Sequence, residues 1–278
     1  MRRMEQLKIG TMKYMIVVLV LASVLSCKQE NKTKEVNVEI TEPKTESNIN
    51  LDRYPEPLLK VFEAHGGIAN WKNKKSLFFK LGEELHTIDL QSRKDRIDGP
   101  GYAIGFDGEK VWLQSEENAY KGDPVFYHNL MSYFFNMPFM LGDKGIIYDD
   151  TEDLVYQGVN YPGIAIRFKS GVGTSYKDEY FLHYDPKTYE MAWLGYSVSY
   201  RSGERSDNVN WIEYQDWAEV NGLMVPSSLM WYSSEGRTIK EPRKPVVFEQ
   251  VAFSEQSKPE SFFSKPENGV FVEGKVQE

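Results

Sequence analysis

The chain has 278 residues, a formal net charge of −8 and a single cysteine. Its length suits one large domain or two small ones with a real hydrophobic core, and 41% hydrophobic with 27% charged residues marks it as globular rather than disordered. One cysteine excludes an intrachain disulfide framework and a multi-cysteine zinc site, and the acidic balance argues against nucleic acid, whose phosphates call for a basic face.

At the N-terminus, Arg2, Arg3, Lys8 and Lys13 precede an uninterrupted run of apolar and small residues at 15–25. The run is too short for a bilayer span, which takes about 20 residues, and it fits the hydrophobic region of a secretory signal. It ends at Val24-Leu25-Ser26-Cys27, which resembles a bacterial lipobox with Leu25 as its unusual member. Residues 1–26 are expected to be a lipoprotein signal peptide and Cys27 the lipidated residue, its thiol alkylated by a diacylglycerol. The alternatives are a cleaved signal with an unmodified cysteine, or a short membrane helix. Each buried methylene contributes about 0.8 kcal/mol, so several acyl chains anchor almost permanently. Residues 28–50 carry nine charges and only four large aliphatics, too little apolar surface to offset ordering entropy. Cys27 and the residues to 50 are thus expected to form a lipidated, flexible tether. The first 27 residues hold four bases against Glu5, which leaves the rest of the chain at −11.

The folded domain is expected over 51–266, followed by a polar, frayed tail at 267–278. Pro55 and Pro57 lead into a helical stretch at 58–65, in which Leu58 and Phe62 share a face. Gly66-Gly67 stops it, and Ile68 and Trp71 then plug against the body. From Ser76 the period becomes that of strands, in keeping with the 14% aromatic content. Residues 76–85 and 86–97 read as two strands. Residues 102–106 and 110–114 flank a hairpin turn at Asp107-Gly108-Glu109.

Asp123 and Pro124 then open a helix expected to run unbroken over 124–137. Phe126, Leu130 and Phe134 repeat every four residues in it, as do Tyr127, Met131 and Phe135. A helix apolar around most of its circumference belongs in a core or across a greasy cleft. After Pro138, strands are expected at 154–158 and 164–169 on either side of a turn at Asn160-Tyr161-Pro162-Gly163, then at 179–184, 189–201, 208–216, 223–232 and 245–253. This order, without alternating βα units, predicts a mainly β (α+β) fold. It would be a curved antiparallel half-barrel of about ten strands, with an N-terminal helix and an inserted apolar helix covering a cavity.

Four places together carry a resemblance: His65-Gly66-Gly67 with Trp71; Phe106-Asp107-Gly108-Glu109-Lys110-Val111-Trp112; Val220-Asn221-Gly222-Leu223-Met224-Val225-Pro226; and Val251-Ala252-Phe253 with Phe262-Phe263 and Pro266. Their order over 51–266 resembles an uncharacterised family of Bacteroidetes lipoproteins whose architecture is similar to the LolA/LolB-type outer-membrane lipoprotein carriers. That fold is an incompletely closed antiparallel sheet that holds an apolar cavity under helices. The resemblance implies that helix 124–137 serves as a lid and that its phenylalanines line the cavity. Unlike the soluble carriers, this chain has an anchoring cysteine, which fits an acceptor or resident binder rather than a shuttle.

Signals for chemistry are weak. His65, His86, His128 and His183 form no metal-ligand spacing. His183 and Asp185 share a strand face beside a turn, an acid–base pair or half a metal site on one reading and an ordinary strand end on the other. The acidic run at 149–153 lacks the glycine and spaced glutamate of a calcium loop. No nucleophile motif is present. No cofactor, metal or catalytic residue is therefore expected, and an enzyme is less favoured than a binder. The cavity-lining residues expected are Trp112, Phe126, Leu130, Met131, Phe134, Phe135 and Phe139. The function expected is a lipid-anchored protein of the cell envelope, at the outer membrane, that binds a lipid or other hydrophobic molecule. Its partners would be the membrane, through the anchor, and that ligand, without nucleic acid. The alternatives are a surface lipoprotein gripping a glycan or protein through exposed aromatics, and a hydrolase with an unrecognised site.

Overall fold

The computed structural model describes residues 49–169, 177–199 and 203–274, all within one unit, Glu46–Glu278. The expected signal peptide, Cys27 and nearly all of the tether lie outside the described residues, as do residues 200–201 of the expected strand at 189–201.

Helix α1 (Glu56–Ala64) has Pro55 at its N-cap and Pro57 in its first turn, where a missing N–H leaves no helical bond unmade. Its buried face is Leu58, Val61 and Phe62. Gly66 and Gly67 take φ of 93° and 85° and turn the chain into α2 (Ile68–Asn73), whose Ile68 and Trp71 are buried.

Five strands follow in hairpin succession: β1 (Ser76–Leu81), β2 (Glu84–Asp89), β3 (Asp95–Gly99), β4 (Tyr102–Phe106) and β5 (Val111–Ser115). At the β4–β5 turn, Asp107 Oδ1 accepts from the N–H groups of Glu109 and Lys110, and Gly108 supplies a φ of 104°. The inserted segment is α3 (Pro124–Tyr127), α4 (Leu130–Phe135) and a 3₁₀ turn, Phe139–Gly142. Next come β6 (Ile146–Asp150), β7 (Leu154–Tyr156), β8 (Val159–Tyr161), β9 (Gly163–Phe168), β10 (Glu179–Tyr184), β11 (Met191–Tyr196), β12 (Asn210–Val220), β13 (Leu223–Glu235), β14 (Thr238–Pro242), β15 (Val246–Val247), β16 (Glu249–Ser254), α5 (Glu260–Phe263) and β17 (Val270–Val272).

One sheet has the order β16-β1-β2-β3-β4-β5-β17 and the other β14-β13-β12-β11-β10-β9-β6, with β15 also paired to β13. Every pairing is antiparallel. Phe248 joins the sheets: β15 before it lies on β13 of one sheet, and β16 after it lies on β1 of the other. The backbone thereby turns a corner, and neither sheet closes on itself. The fold is mainly β, a curved antiparallel half-barrel fronted by α1 and crossed by the inserted helices. The main core draws buried residues from both sheets and from α1, α2 and α4, and smaller clusters form around Trp193 and Trp211 and around Ile97, Ile104 and Val111.

Several elements depart from the sequence expectation. Residues 76–97 form three strands rather than two, because Gly82 (φ 60°) and Glu83 make a tight turn inside the first run. Asn160 and Tyr161 belong to β8, and the turn falls at Gln157-Gly158, where both residues have positive φ. Strands β6, β14 and β17 and helix α5 were not anticipated, and the strands outnumber the ten expected. Residues 270–272 of the expected polar tail pair with β5. The helix expected unbroken over 124–137 breaks at His128 and Asn129. Asn129 leaves helical geometry (φ −108°, ψ −2°), and the His128 ring is held by Asp95 of β3.

Candidate functional site

A cavity of ≈ 1380 Å³ lies between the inserted helices and the inner faces of both sheets. Its size follows from the corner at Phe248: two sheets that diverge from one seam leave a wedge, and a segment with a broken helix fills only part of it. Phe126, Leu130, Met131 and Phe134 line it from the helical side. Tyr133 and Phe134 meet an aromatic wall from the second sheet. Tyr133 lies 5.8 Å from Tyr180, and Phe134 lies 5.1 Å from Tyr196 and 5.5 Å from Trp231. Phe168 adds an edge-on contact to Tyr180 at 5.6 Å. Antiparallel register explains the wall, since Tyr180 of β10 stands opposite Tyr196 of β11. Trp231 Nε1–H donates to the Tyr196 hydroxyl at 3.0 Å, and the Tyr214 hydroxyl donates to Phe134 O at 2.8 Å, fixing α4. Burial pushes the phenols of Tyr133, Tyr180, Tyr196 and Tyr214 above their ordinary range, so they remain neutral.

Of the residues expected at the cavity, the structure brings four together and sets three apart. Trp112 is fully buried in the first sheet, where its Nε1–H donates to Phe263 O at 2.8 Å. Phe135 is fully buried against Phe79 and Phe248. Phe139 stacks on Trp71 at 4.8 Å and lines a separate pocket of ≈ 220 Å³ beside α2. The physical reason lies in the helix faces. The row Phe126, Leu130, Phe134 faces the void, whereas Phe135, one position on, points to the seam between the sheets.

Polar groups punctuate the lining. Asp95 and His128 line the cavity, and Nδ1–H of His128 donates to Asp95 Oδ2 at 2.6 Å. Burial drives the Asp95 carboxyl above its usual range, against the pull of that bond. Nearby, Glu84 collects hydrogen bonds from His86 Nε2 at 3.0 Å and from the hydroxyls of Tyr127 and Tyr102. Burial pushes Glu84 up, but those three donors overcome it and hold the group below its ordinary value. Asp178 accepts from the Ser199 N–H at 2.5 Å, and burial raises its carboxyl.

The remaining histidines are structural. Nδ1–H of His65 donates to Val61 O at 2.7 Å, and its Nε2 accepts from the Met191 N–H at 3.4 Å. Nδ1–H of His183 donates to Tyr161 O at 3.1 Å, while Asp185 caps its own turn by accepting from Lys187 and Thr188. The two therefore do not act as a pair. In the acidic run, Asp149 pairs with Arg167 at 2.5 Å. Among the described residues no group of three or more His, Cys, Asp or Glu is placed to hold a metal, and no helix is long and apolar enough to cross a membrane.

Phe168, Tyr180, Tyr196 and Trp231 complete the aromatic lining, and the alternation of their strands was the one signal for them in the sequence. Nothing local marks Asp95, His128 and Asn136 as a group.

A family model described as a family of unknown function (DUF6503) matches residues 111–222. No curated protein matches the chain. Among solved structures the chain is similar to a DUF1329 family protein from Desulfovibrio piger, with a TM-score of 0.45 and 10% identity over 76% of this chain and 98% of that one. It is similar to a LolA superfamily protein from Nitrosomonas europaea, with a TM-score of 0.45 and 8% identity over 74% and 96% of the two chains. An outer membrane lipoprotein-sorting protein domain from Vibrio parahaemolyticus gives a TM-score of 0.35 and 9% identity over 72% and 96%.

Proposed function

We propose that this protein is a lipid-anchored component of the cell envelope, at the outer membrane, that binds a lipid or comparable hydrophobic molecule in the cavity under α3 and α4. One observation carries the reading. The cavity of ≈ 1380 Å³ exceeds the roughly 300–1,000 Å³ of ordinary small-molecule sites, and aromatic and aliphatic side chains make up more than half of its lining, with charged groups of both signs, such as Lys110, Arg243 and Asp178, among the rest. A long alkyl chain fits such a space because binding needs only burial, at about 0.8 kcal/mol per methylene. Phe126 and Phe271, 36% and 48% exposed, belong to the lining and mark its mouth. The lipobox at Cys27 supports the anchored part of the reading. All six tryptophans are buried or half-buried, so a glycan platform of exposed rings has little support, and binding without catalysis is the form we favour.

The test uses the full chain carrying Cys27→Ser, which removes covalently bound acyl groups, purified without detergent. Lipid extraction and mass spectrometry should return a near-stoichiometric amphiphile. The neutral probe N-phenyl-1-naphthylamine should bind with enhanced fluorescence. Leu130→Trp, which fills the cavity from its half-buried wall, should weaken the probe about ten-fold with little change in Tm. A folded protein that yields no lipid and takes up no probe overturns the reading.

A further inference from the structure

Among the described residues, two buried side-chain oxygens have no hydrogen-bond partner: Asp95 Oδ1 and Asn136 Oδ1. Both residues line the same cavity. An orphaned buried acceptor is costly, and native structures contain few of them. Their coincidence in one void points to a donor that the protein itself does not supply.

Asp95 is 1% exposed and Asn136 3%, so bulk water does not serve them. Asp95 sits on β3 opposite Phe106 of β4 and Ile88 of β2, both of which also line the cavity. Its second oxygen, Oδ2, is committed to His128 Nδ1 at 2.6 Å. That bond uses Nδ1 of the ring and leaves Nε2, which makes no bond to any described residue, as its second hydrogen-bonding atom. His128 is only 10% exposed at its side chain and its ring lies 5.3 Å from that of Phe106. Between His128 and Asn136, Leu130, Met131 and Phe134 present apolar surface to the void. The helical segment thus has the Asp95–His128 pair at one end, the Asn136 amide at the other and a greasy stretch between them.

We propose that the cavity contains a head-group subsite, in which Asp95 Oδ1 accepts a hydrogen bond from, and His128 Nε2 bonds to, a hydroxyl- or amine-bearing amphiphile whose alkyl chain lies along Leu130, Met131 and Phe134. The proposal rests on the reading that the cavity holds a hydrophobic ligand, and adds the chemistry of its polar end. A head group made only of acceptors would face Asp95 with like partners. The cations on the lining, Arg93, Lys110, Lys144, Arg243 and Lys244, would instead favour a carboxylate, which makes myristate the competing case.

Displacement of N-phenyl-1-naphthylamine from the Cys27→Ser chain tests it with three ligands of equal chain length: 1-monomyristin, methyl myristate and sodium myristate. Monomyristin should displace the probe at about ten-fold lower concentration than methyl myristate, as expected when a buried acceptor left unpaired gains its donor, and myristate should be no better than the ester. In the double variant Asp95→Leu/His128→Phe, which removes donor and acceptors together, monomyristin should lose its advantage while methyl myristate is unchanged. Equal displacement by monomyristin and the ester in the parent chain, or a clear lead for myristate, overturns the subsite and leaves the cavity reading intact. Failure of the probe to bind at all overturns both. The parent series decides even where the double variant fails to fold.

Discussion

Gly66 approaches the Gly222 carbonyl so closely that a β-carbon on Gly66 would stand 2.1 Å from that oxygen. The same carbonyl accepts from Asn70 Nδ2 at 2.8 Å, and the Met224 N–H donates to His65 O at 3.0 Å. The diglycine stop after α1 and the turn between β12 and β13 are thus two halves of one clasp. Gly66 also holds a φ of 93°, closed to most side chains. Gly66→Ala should therefore destabilise by at least about 2 kcal/mol. Gly82→Ala is the control: φ is positive there too, but nothing lies within 4 Å of the added carbon. It should cost only about 1 kcal/mol of backbone strain. Urea unfolding of both variants checks this, and equal losses would remove the clasp from the account.

A second clasp joins Trp112 to Phe263. The indole N–H donates to the Phe263 carbonyl at 2.8 Å, and a β-carbon on Gly105 would lie 2.3 Å from the same ring. Arg96 stands 5.7 Å from the centre of the Trp112 ring and 5.4 Å from that of Phe262. Trp112→Phe keeps the apolar body but strands a buried acceptor, a loss of about 1–3 kcal/mol. Because Trp112 does not line the cavity, the folded variant should bind N-phenyl-1-naphthylamine as tightly as the parent. A ten-fold loss of probe affinity in the folded variant would put the indole back among the ligand contacts.

These clasps bear on what was legible in the sequence. The four short motifs that carry the family resemblance pair off in space, two and two, to hold the half-barrel together, so they speak of fold and little of ligand. Strands with clean alternation and strong turn chemistry were readable to the residue, such as β4 before the Asp107 turn and β10 before the Asp185 turn. Elements set by distant partners were not. Strand β17 exists because β5 offers it an unpaired edge, and the helix break at Asn129 coincides with a bond to Asp95 on another element. The cavity divides the same way. Its apolar half was visible in the four-residue repeat of Phe126, Leu130 and Phe134, a local property of one helix face. Its polar half joins residues from β3 and the end of α4, and no local period encodes that meeting.

Anchoring gives an independent prediction. If the thiol of Cys27 carries a diacylglycerol, Cys27→Ser should abolish labelling by radioactive palmitate and move the protein from the membrane fraction to the soluble one. Single acyl chains bind only marginally, whereas two or more anchor stably, so the shift in fractionation should be nearly complete. The −11 charge of the chain after Cys27 gives the unanchored protein no affinity for an anionic membrane surface to mask that shift. Palmitate labelling retained in Cys27→Ser would place the acyl group elsewhere.

Acid stability should report His65 and His183. Burial pulls both imidazoles down to about 4, although their bonds to Val61 O and Tyr161 O work in the opposite direction. In the unfolded chain each returns to about 6.5. Between these values the unfolded chain binds protons that the native protein does not, so the contribution of each ring is complete above about pH 6.5 and is lost as the pH falls toward 4. The full separation corresponds to about 3 kcal/mol per ring. Carboxylates act over the lower part of this range with both signs: Asp95 and Asp178, raised by burial, favour the native state as they protonate, whereas Glu84, held low by its three donors, costs stability when it does. A difference measurement cancels them. His65→Gln keeps a donor and an acceptor but cannot titrate. It should be less stable than the parent at pH 7, and between pH 7 and 5 it should lose about 2 kcal/mol less. Urea unfolding at pH 7, 6 and 5 gives the comparison, and parallel curves for parent and variant would show that His65 titrates alike in the folded and unfolded chain.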